Sequence, residues 1–320
     1  MKQKRILAAL LLNALLLANG CGAERTPYLP AQAQVVSIEE EAVALAEAPA
    51  AALPVTATAV ASGKWVKSNA EAAIDYSNYT QGYVMVRYHA ATQQKLKAQV
   101  TGPTTTYTYN LTPGAWAAFP LSDGNGVYRI SVFKNVSGTS YAAVLSLGLQ
   151  VTLQDAFAPF LHSNQYVDYD NAPQTVAKAA ELTAGLTDPL KKVEAVYDFV
   201  VQNLTYDREL AATVKSGYLP VLDHALEAKK GICFDYAALM TGMLRSQGVP
   251  CKLVVGYAGT AYHAWISVWS EHTGWIDGVI LFNGSSWQRM DPTFASSAKS
   301  SRYILQYIGD GTNYTAKYFY

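Results

Sequence analysis

The chain has 320 residues, half of them hydrophobic, enough to bury one large core or two ordinary ones, and this excludes a wholly disordered protein. Lys and Arg total 24, Asp and Glu total 24, and charged residues make up only 15% of the sequence, so no basic surplus exists to neutralise phosphates and no nucleic-acid partner is expected. Without residues 1–20, which hold Lys2, Lys4 and Arg5, 21 basic residues face 24 acidic ones, a net charge of −3 that is ordinary for a protein surface.

Met1 to Arg5 carries the positive charge, and Ile6 to Ala18 is an apolar run interrupted by Asn13 and too short to span a bilayer. The pattern predicts a signal peptide over 1–20. Leu17-Ala18-Asn19-Gly20-Cys21 resembles a bacterial lipobox, in which small residues precede a cysteine that is lipidated as the leader is cut, although Ala18 stands where that pattern more often has a branched aliphatic. The resemblance implies a lipoprotein anchored at Cys21 in the cell envelope, on the outer side of the cytoplasmic membrane. The alternative is a plain secretory leader and a secreted chain. Residues 21–62 are rich in Ala, Pro and Val around the acidic run Glu39 to Glu41, without sustained hydrophobic periodicity, and predict a disordered tether. No later apolar run reaches the roughly 18 residues of a membrane span, so nothing is expected to cross the membrane after the leader.

Residues 63–160 show period two in stretches rich in Tyr, Val and Thr: Tyr83 to Tyr88, Lys95 to Val100, Thr104 to Leu111, Val127 to Phe133 and Tyr141 to Leu153. Turn clusters such as Thr101-Gly102-Pro103 and Ser137-Gly138-Thr139 separate them. Short strands at this spacing predict an all-β, sandwich-like domain. It has one histidine, His89, and no catalytic cluster, so it reads as a spacer or binding module, removable over 64–155 with loss of affinity for a large substrate but with activity on a small ester retained.

Residues 161–320 begin helical. A first helix is expected near Pro173; Asp188-Pro189 then caps a second, whose Val193, Val196, Tyr197, Val200, Val201 and Leu204 share one face. A third runs from Cys233 to Gln247 and stops at Gly248. Strands follow over Lys252 to Tyr257, His263 to Trp269, Trp275 to Leu281, Trp287 to Met290 and Asn313 to Tyr320. Helices followed by an antiparallel sheet define an α+β domain.

Of three cysteines, Cys21 belongs to the lipobox, which leaves Cys233 and Cys251. Cys251 follows Pro250 at the head of an apolar strand and suits an inert buried thiol. Cys233 opens the third helix after Lys229 and Lys230, where free N–H groups and the helix dipole favour a thiolate. A thiolate nucleophile needs a base, and the base an orienting partner. His263 is the best-placed base; Asp291 is the expected carboxylate and Asp277 its rival. A disulfide between Cys233 and Cys251 would silence the nucleophile, and an oxidising exterior permits one. No metal-binding motif or cofactor fingerprint is present.

Four blocks stand in order: Lys230-Gly231-Ile232-Cys233-Phe234-Asp235-Tyr236-Ala237, Gly248 to Tyr257, His263-Ala264-Trp265, and Met290-Asp291-Pro292-Thr293. Together they resemble the core of the transglutaminase-like superfamily over roughly residues 185 to 295. The resemblance implies a papain-like α+β fold with Cys233 as nucleophile, His263 as general base and Asp291 as orienting carboxylate. It also implies a protein or peptide substrate, with a cell-envelope polymer as the other possibility. Asp235 and Tyr236 are expected to hold the helix rather than react, and Tyr206 is a candidate second oxyanion donor. Attack of Cys233 on an amide would give a thioester. Water would complete hydrolysis and a lysine amine would complete a cross-link; the expectation leans to hydrolysis, because water needs no second binding site. A catalytically silent envelope-binding protein of the same fold is the contrasting expectation.

Overall fold

Stretches rich in Tyr, Val and Thr form eight strands among the described residues of the N-terminal half, and buried and exposed side chains alternate most regularly in the fourth and fifth of them. These are β1 (Val66–Ser68), β2 (Ala72–Asp75), β3 (Tyr83–Tyr88), β4 (Leu96–Thr101), β5 (Thr106–Leu111), β6 (Ala117–Pro120), β7 (Gly126–Ser137) and β8 (Ser140–Val151). The structure, a computed structural model, describes residues 58–271, 274–277, 280–282, 287–289 and 314–320. The leader, Cys21, most of the tether and Asp291 lie outside the described residues.

The eight strands form two four-stranded antiparallel sheets, in the orders β1-β2-β3-β6 and β5-β4-β7-β8. Leu96, Ala98 and Val100 of β4 and Tyr107, Tyr109 and Leu111 of β5 turn inward, as a two-residue period requires. Tyr109 meets Phe119 edge-on at 4.9 Å, and the Tyr128 hydroxyl donates to Leu121 O at 3.1 Å, joining the sheets into the expected sandwich. Residues 58–62 of the expected tether are already held to it. Val60 N–H donates to Tyr83 Oη at 3.3 Å, and Asn78 Nδ2 donates to Val60 O at 2.8 Å.

The second half begins with α1 (Pro173–Leu182), α2 (Pro189–Asn203), β9 (Thr205–Tyr206), α3 (Arg208–Thr213), α4 (Leu222–Ala228), β10 (Lys230–Gly231) and α5 (Cys233–Ser246). It continues with β11 (Cys251–Ala258), β12 (Ala261–Ser270), β13 (Gly274–Asp277), β14 (Ile280–Phe282), β15 (Trp287–Arg289) and β16 (Tyr314–Phe319). The Asp188 side chain caps α2 by accepting from Leu190 N–H at 2.8 Å, and Val193, Val196, Tyr197 and Val200 form its buried stripe. Helix α5 is the central one, buried at every position from Asp235 to Arg245. It ends where Gly248, at φ +78°, lets Gly248 N–H reach Arg245 O and Val249 N–H reach Leu244 O.

Helix α5 packs on the antiparallel sheet β13-β12-β11-β16. Two local features fix this layer. The wholly buried Arg245 guanidinium donates to Cys251 O at 2.8 Å, His162 O at 2.7 Å and Tyr320 O at 2.5 Å, and so ties the helix end to β11, to the segment before α1 and to the end of β16. Gly256 leaves room for β16, since a Cβ there would lie 2.1 Å from Thr315 O. The strand expected over Trp275 to Leu281 divides: β13 joins the main sheet and β14 pairs with β15. Among the described residues no helix is long and apolar enough to cross a membrane.

Candidate active site

Cys233 occupies the first position of α5, where its backbone N–H has no carbonyl partner within the helix. The approach to that position is built by a short parallel pair, β9 with β10, which aligns Thr205 with Lys230 and Tyr206 with Gly231. Lys230 Nζ and Asp207 Oδ2 close the pair with an ion pair at 3.1 Å. Asp235, 2% exposed, accepts from Ile232 N–H at 2.9 Å through Oδ2 and from the Tyr218 hydroxyl at 2.6 Å through Oδ1. This is the holding role expected of it. A Cβ at Gly231 would sit 2.6 Å from Asp235 Cβ, so the carboxylate can fold back over the strand only because residue 231 is glycine. Burial pushes the Asp235 carboxyl above its ordinary value, against the opposing pull of its two hydrogen bonds.

His263 lies on β12, in register with Gly256 of β11, and is 7% exposed. The Trp265 ring stacks near it at 6.3 Å and Tyr314 of β16 presents an edge at 6.2 Å. Thus β16, through Tyr314, walls the histidine on the side that Gly256 leaves open. Asp277 pairs through its backbone with Ser267, four residues along β12 from His263, a span of about 13 Å at the usual strand rise.

Cys233 and His263 line one cavity of about 520 Å³. Tyr206, the candidate oxyanion donor, lines it too. The rest of the wall has three sources that sequence reasoning does not reach: the stretch Val214 to Leu219 between α3 and α4, Tyr166 before α1 together with Tyr320 after β16, and Asn110 of β5 in the sandwich. Among the described residues Lys215 is the only Lys, Arg, Asp or Glu on the lining. Burial raises the phenols around it: Tyr166 to about 12, and Tyr218, Tyr262 and Tyr320 above their ordinary value, so all stay protonated donors at neutral pH. For the loop, the Ser216-Gly217 turn signal was available in the sequence, since Gly217 takes φ +89°. Asn110 carries no local signal at all, because only the packing of the sandwich brings it to the cavity.

The second thiol is separate. Cys251 is fully buried, its Sγ lies 3.6 Å from Thr241 Oγ1, and burial pushes it up to about 11. Cys233 and Cys251 are both free thiols, so the disulfide considered from sequence is absent. Among the described residues no cluster of three His, Cys, Asp or Glu is arranged to hold a metal ion. The chemistry available to this cavity is nucleophilic: a thiol at a helix start, an imidazole on the same lining and N–H donors unused by the helix.

A helix that begins with a cysteine and packs on an antiparallel sheet carrying the histidine is the papain-like α+β arrangement. Residues 176–292 match the family described as Transglutaminase-like superfamily, and that stretch is a transglutaminase-like domain. The chain is 28% identical over 178 residues to the uncharacterized protein YebA of Bacillus subtilis, covering 49% of this chain and 24% of that protein. It is 29% identical over 119 residues to a protein-glutamine gamma-glutamyltransferase of Pseudomonas aeruginosa, covering 32% of this chain and 17% of that one. The match therefore spans a quarter or less of either relative. Among solved structures it resembles the periplasmic domain of TgpA from Pseudomonas aeruginosa, at 18% identity and TM-score 0.33, covering 73% of this chain and 98% of that one. It also resembles a candidate cysteine protease from Cytophaga hutchinsonii, at 16% identity and TM-score 0.38, covering 74% and 83%.

Proposed function

We infer that the chain is an exported thiol enzyme, lipid-anchored at Cys21 in the cell envelope, that cleaves or transfers amide bonds of proteins or peptides through a thioester on Cys233. One observation carries this reading: Cys233 at the start of α5 and His263 on β12 line the same cavity. The Cys233 thiolate attacks the amide carbonyl, and the Cys233 N–H, with a second donor, holds the oxyanion. His263 delivers the proton to the leaving amine as the C–N bond breaks. Water then attacks the thioester, His263 takes its proton, and the acid and free thiol are released. A lysine amine entering instead of water gives a new amide and a cross-link. Hydrolysis is the simpler course, since a second substrate site is not required. Asp291, two residues after the described strand β15, is proposed to orient the His263 ring through the tautomer it fixes.

Support comes from the match to the transglutaminase-like family and from the separation of the two thiols, one in the cavity and one sealed in the core. The test combines two measurements on the parent and on Cys233→Ala. Iodoacetamide labelling of the native chain with peptide mapping is expected to modify Cys233, which lines the cavity, ahead of the buried Cys251. Turnover of a glutamine-containing peptide or of casein is expected in the parent and abolished in Cys233→Ala at nearly unchanged melting temperature. Equal turnover in both would sink the enzymatic reading. No selective labelling of Cys233, and no turnover, would leave the silent binding protein as the function of this fold.

A further inference from the structure

The wall of the cavity is not confined to the transglutaminase-like domain. Asn110, next to the end of β5, belongs to the sandwich and is exposed on the cavity lining. Its carboxamide is held in one orientation. Lys97 Nζ on the neighbouring strand donates to Asn110 Oδ1 at 2.6 Å, and an ammonium can only donate, so the amide oxygen faces Lys97 and the NH2 group faces the other way. That other way is the Val214 to Leu219 wall, for a Cβ at Gly217 would come 3.3 Å from Asn110 Nδ2. The backbone is fixed as well: Gln165 Nε2 donates to Asn110 O at 3.2 Å, beside the cavity residue Tyr166. Among the described residues no hydrogen bond occupies Asn110 Nδ2, so an oriented donor is offered where a substrate would lie.

The rest of the lining indicates what kind of substrate. Among the described residues no carboxylate side chain lines the cavity and Lys215 is its one Lys or Arg, while Val214, Leu219 and Tyr262 leave apolar surface at its border, at 36%, 37% and 61% exposure. An uncharged, partly apolar polypeptide segment suits such a border, and it carries a backbone carbonyl at every residue. A small ester has no carbonyl beyond the reacting one.

We propose that Asn110 is a specificity-determining residue: its carboxamide NH2 donates to a backbone carbonyl of an uncharged, extended acyl-donor polypeptide, so that the sandwich takes part in selecting substrate. This rests on Cys233 being the nucleophile of the same cavity. The experiment compares the full-length parent with Asn110→Asp and Asn110→Ala. Asparagine to aspartate keeps shape and keeps an acceptor for Lys97 but removes the donor; alanine removes both. The readout is the ratio of kcat/KM for dimethyl-casein to kcat/KM for p-nitrophenyl acetate, with KM and kcat separated for casein. One lost hydrogen bond predicts a fall of roughly tenfold in that ratio in both variants, carried by KM. An unchanged ratio in Asn110→Asp overturns the assignment of Asn110 alone. A parent in which Cys233→Ala changes neither rate overturns the underlying thiol-enzyme reading, and this proposal with it.

Discussion

Replacing Asp235 tests whether the start of α5 is held as the hydrogen bonds indicate. In Asp235→Ala two donors lose their acceptor: Ile232 N–H at 2.9 Å and the Tyr218 hydroxyl at 2.6 Å. A buried donor left unsatisfied costs about 1–3 kcal/mol. Ile232 is buried and pays toward the upper end, whereas Tyr218 is half-buried and can turn its hydroxyl toward the cavity. Relief of a carboxylate held in the interior offsets part of the loss. The expected net destabilisation is about 3 kcal/mol, a fall of about 6–12 °C in Tm. Asp235→Asn keeps an acceptor for Ile232 and offers an NH2 group to the Tyr218 oxygen, so it should stay within about 1 kcal/mol of the parent. The pH dependence has a definite sign. Burial raises the Asp235 carboxyl above 3.8, so its contribution to the fold is fully present below that value and is lost as pH rises through its raised native value. Asparagine does not titrate, so Asp235→Asn should gain on the parent between acid and neutral pH. Urea unfolding at several pH values measures all of this. If Asp235→Ala unfolds within about 0.5 kcal/mol of the parent, the carboxylate does not hold this helix start and the argument fails.

Three further outcomes follow from named contacts. In the native chain iodoacetamide should modify Cys233 and leave Cys251 untouched until denaturant is added, because Cys251 is fully buried and pushed up to about 11; native labelling of Cys251 would contradict the packing of α5 on β11. Arg245→Met should destabilise by about 3–5 kcal/mol, since three backbone carbonyls lose a charged donor while the methionine only refills apolar volume; calorimetry on the two chains decides it. Gly256→Ala places a methyl 2.1 Å from Thr315 O and 2.9 Å from Trp265 Cη2, forcing β16 away from β11 for about 2–3 kcal/mol. Faster amide exchange confined to β16 and its neighbours would register that shift, and unaltered exchange would refute it.

Features with local causes were legible in the sequence. Asp188-Pro189 marks the start of α2 because cap and first-turn chemistry reside in two adjacent residues, and Val193, Val196, Tyr197 and Val200 mark its buried face by spacing alone. The alternations of β4 and β5 were legible for the same reason, as were Cys233 at a helix start and His263 on a strand. Helices α3 and α4, of 6 and 7 residues, are too short for a period to show, and β9 with β10 is a 2-residue pairing made only in the folded chain. Asn110, Tyr166 and Tyr320 were illegible as cavity residues because their neighbours there come from distant parts of the sequence. Asp291, the expected third member of the triad, lies outside the described residues, so its place beside His263 rests on the order of the sequence blocks.

The sandwich read from sequence as a spacer or binding module whose removal spares activity on a small ester, and its tyrosines argue against that removal being harmless to the site. Tyr107 and Tyr109 are buried by the alternation of β5, but several of their ring partners lie outside the sandwich: Tyr107 meets Tyr318 and Tyr320, both at 5.7 Å, and Tyr109 meets Tyr166 and Tyr320, both at 5.8 Å. Tyr166 and Tyr320 in turn contact each other at 4.4 Å and line the cavity with Cys233. Offset and edge-on aromatic pairs add about 0.5–1.5 kcal/mol each beyond area burial, so three such contacts fix two cavity residues from the sandwich side. Removing residues 64–155 would strip those contacts and expose the wall of the site to water. The expected result is loss of turnover on casein and on p-nitrophenyl acetate together, with a lower melting temperature for what remains. A truncated chain that keeps the ester rate of the parent would show that Tyr166 and Tyr320 hold their places unaided, and that the sandwich acts on the substrate alone.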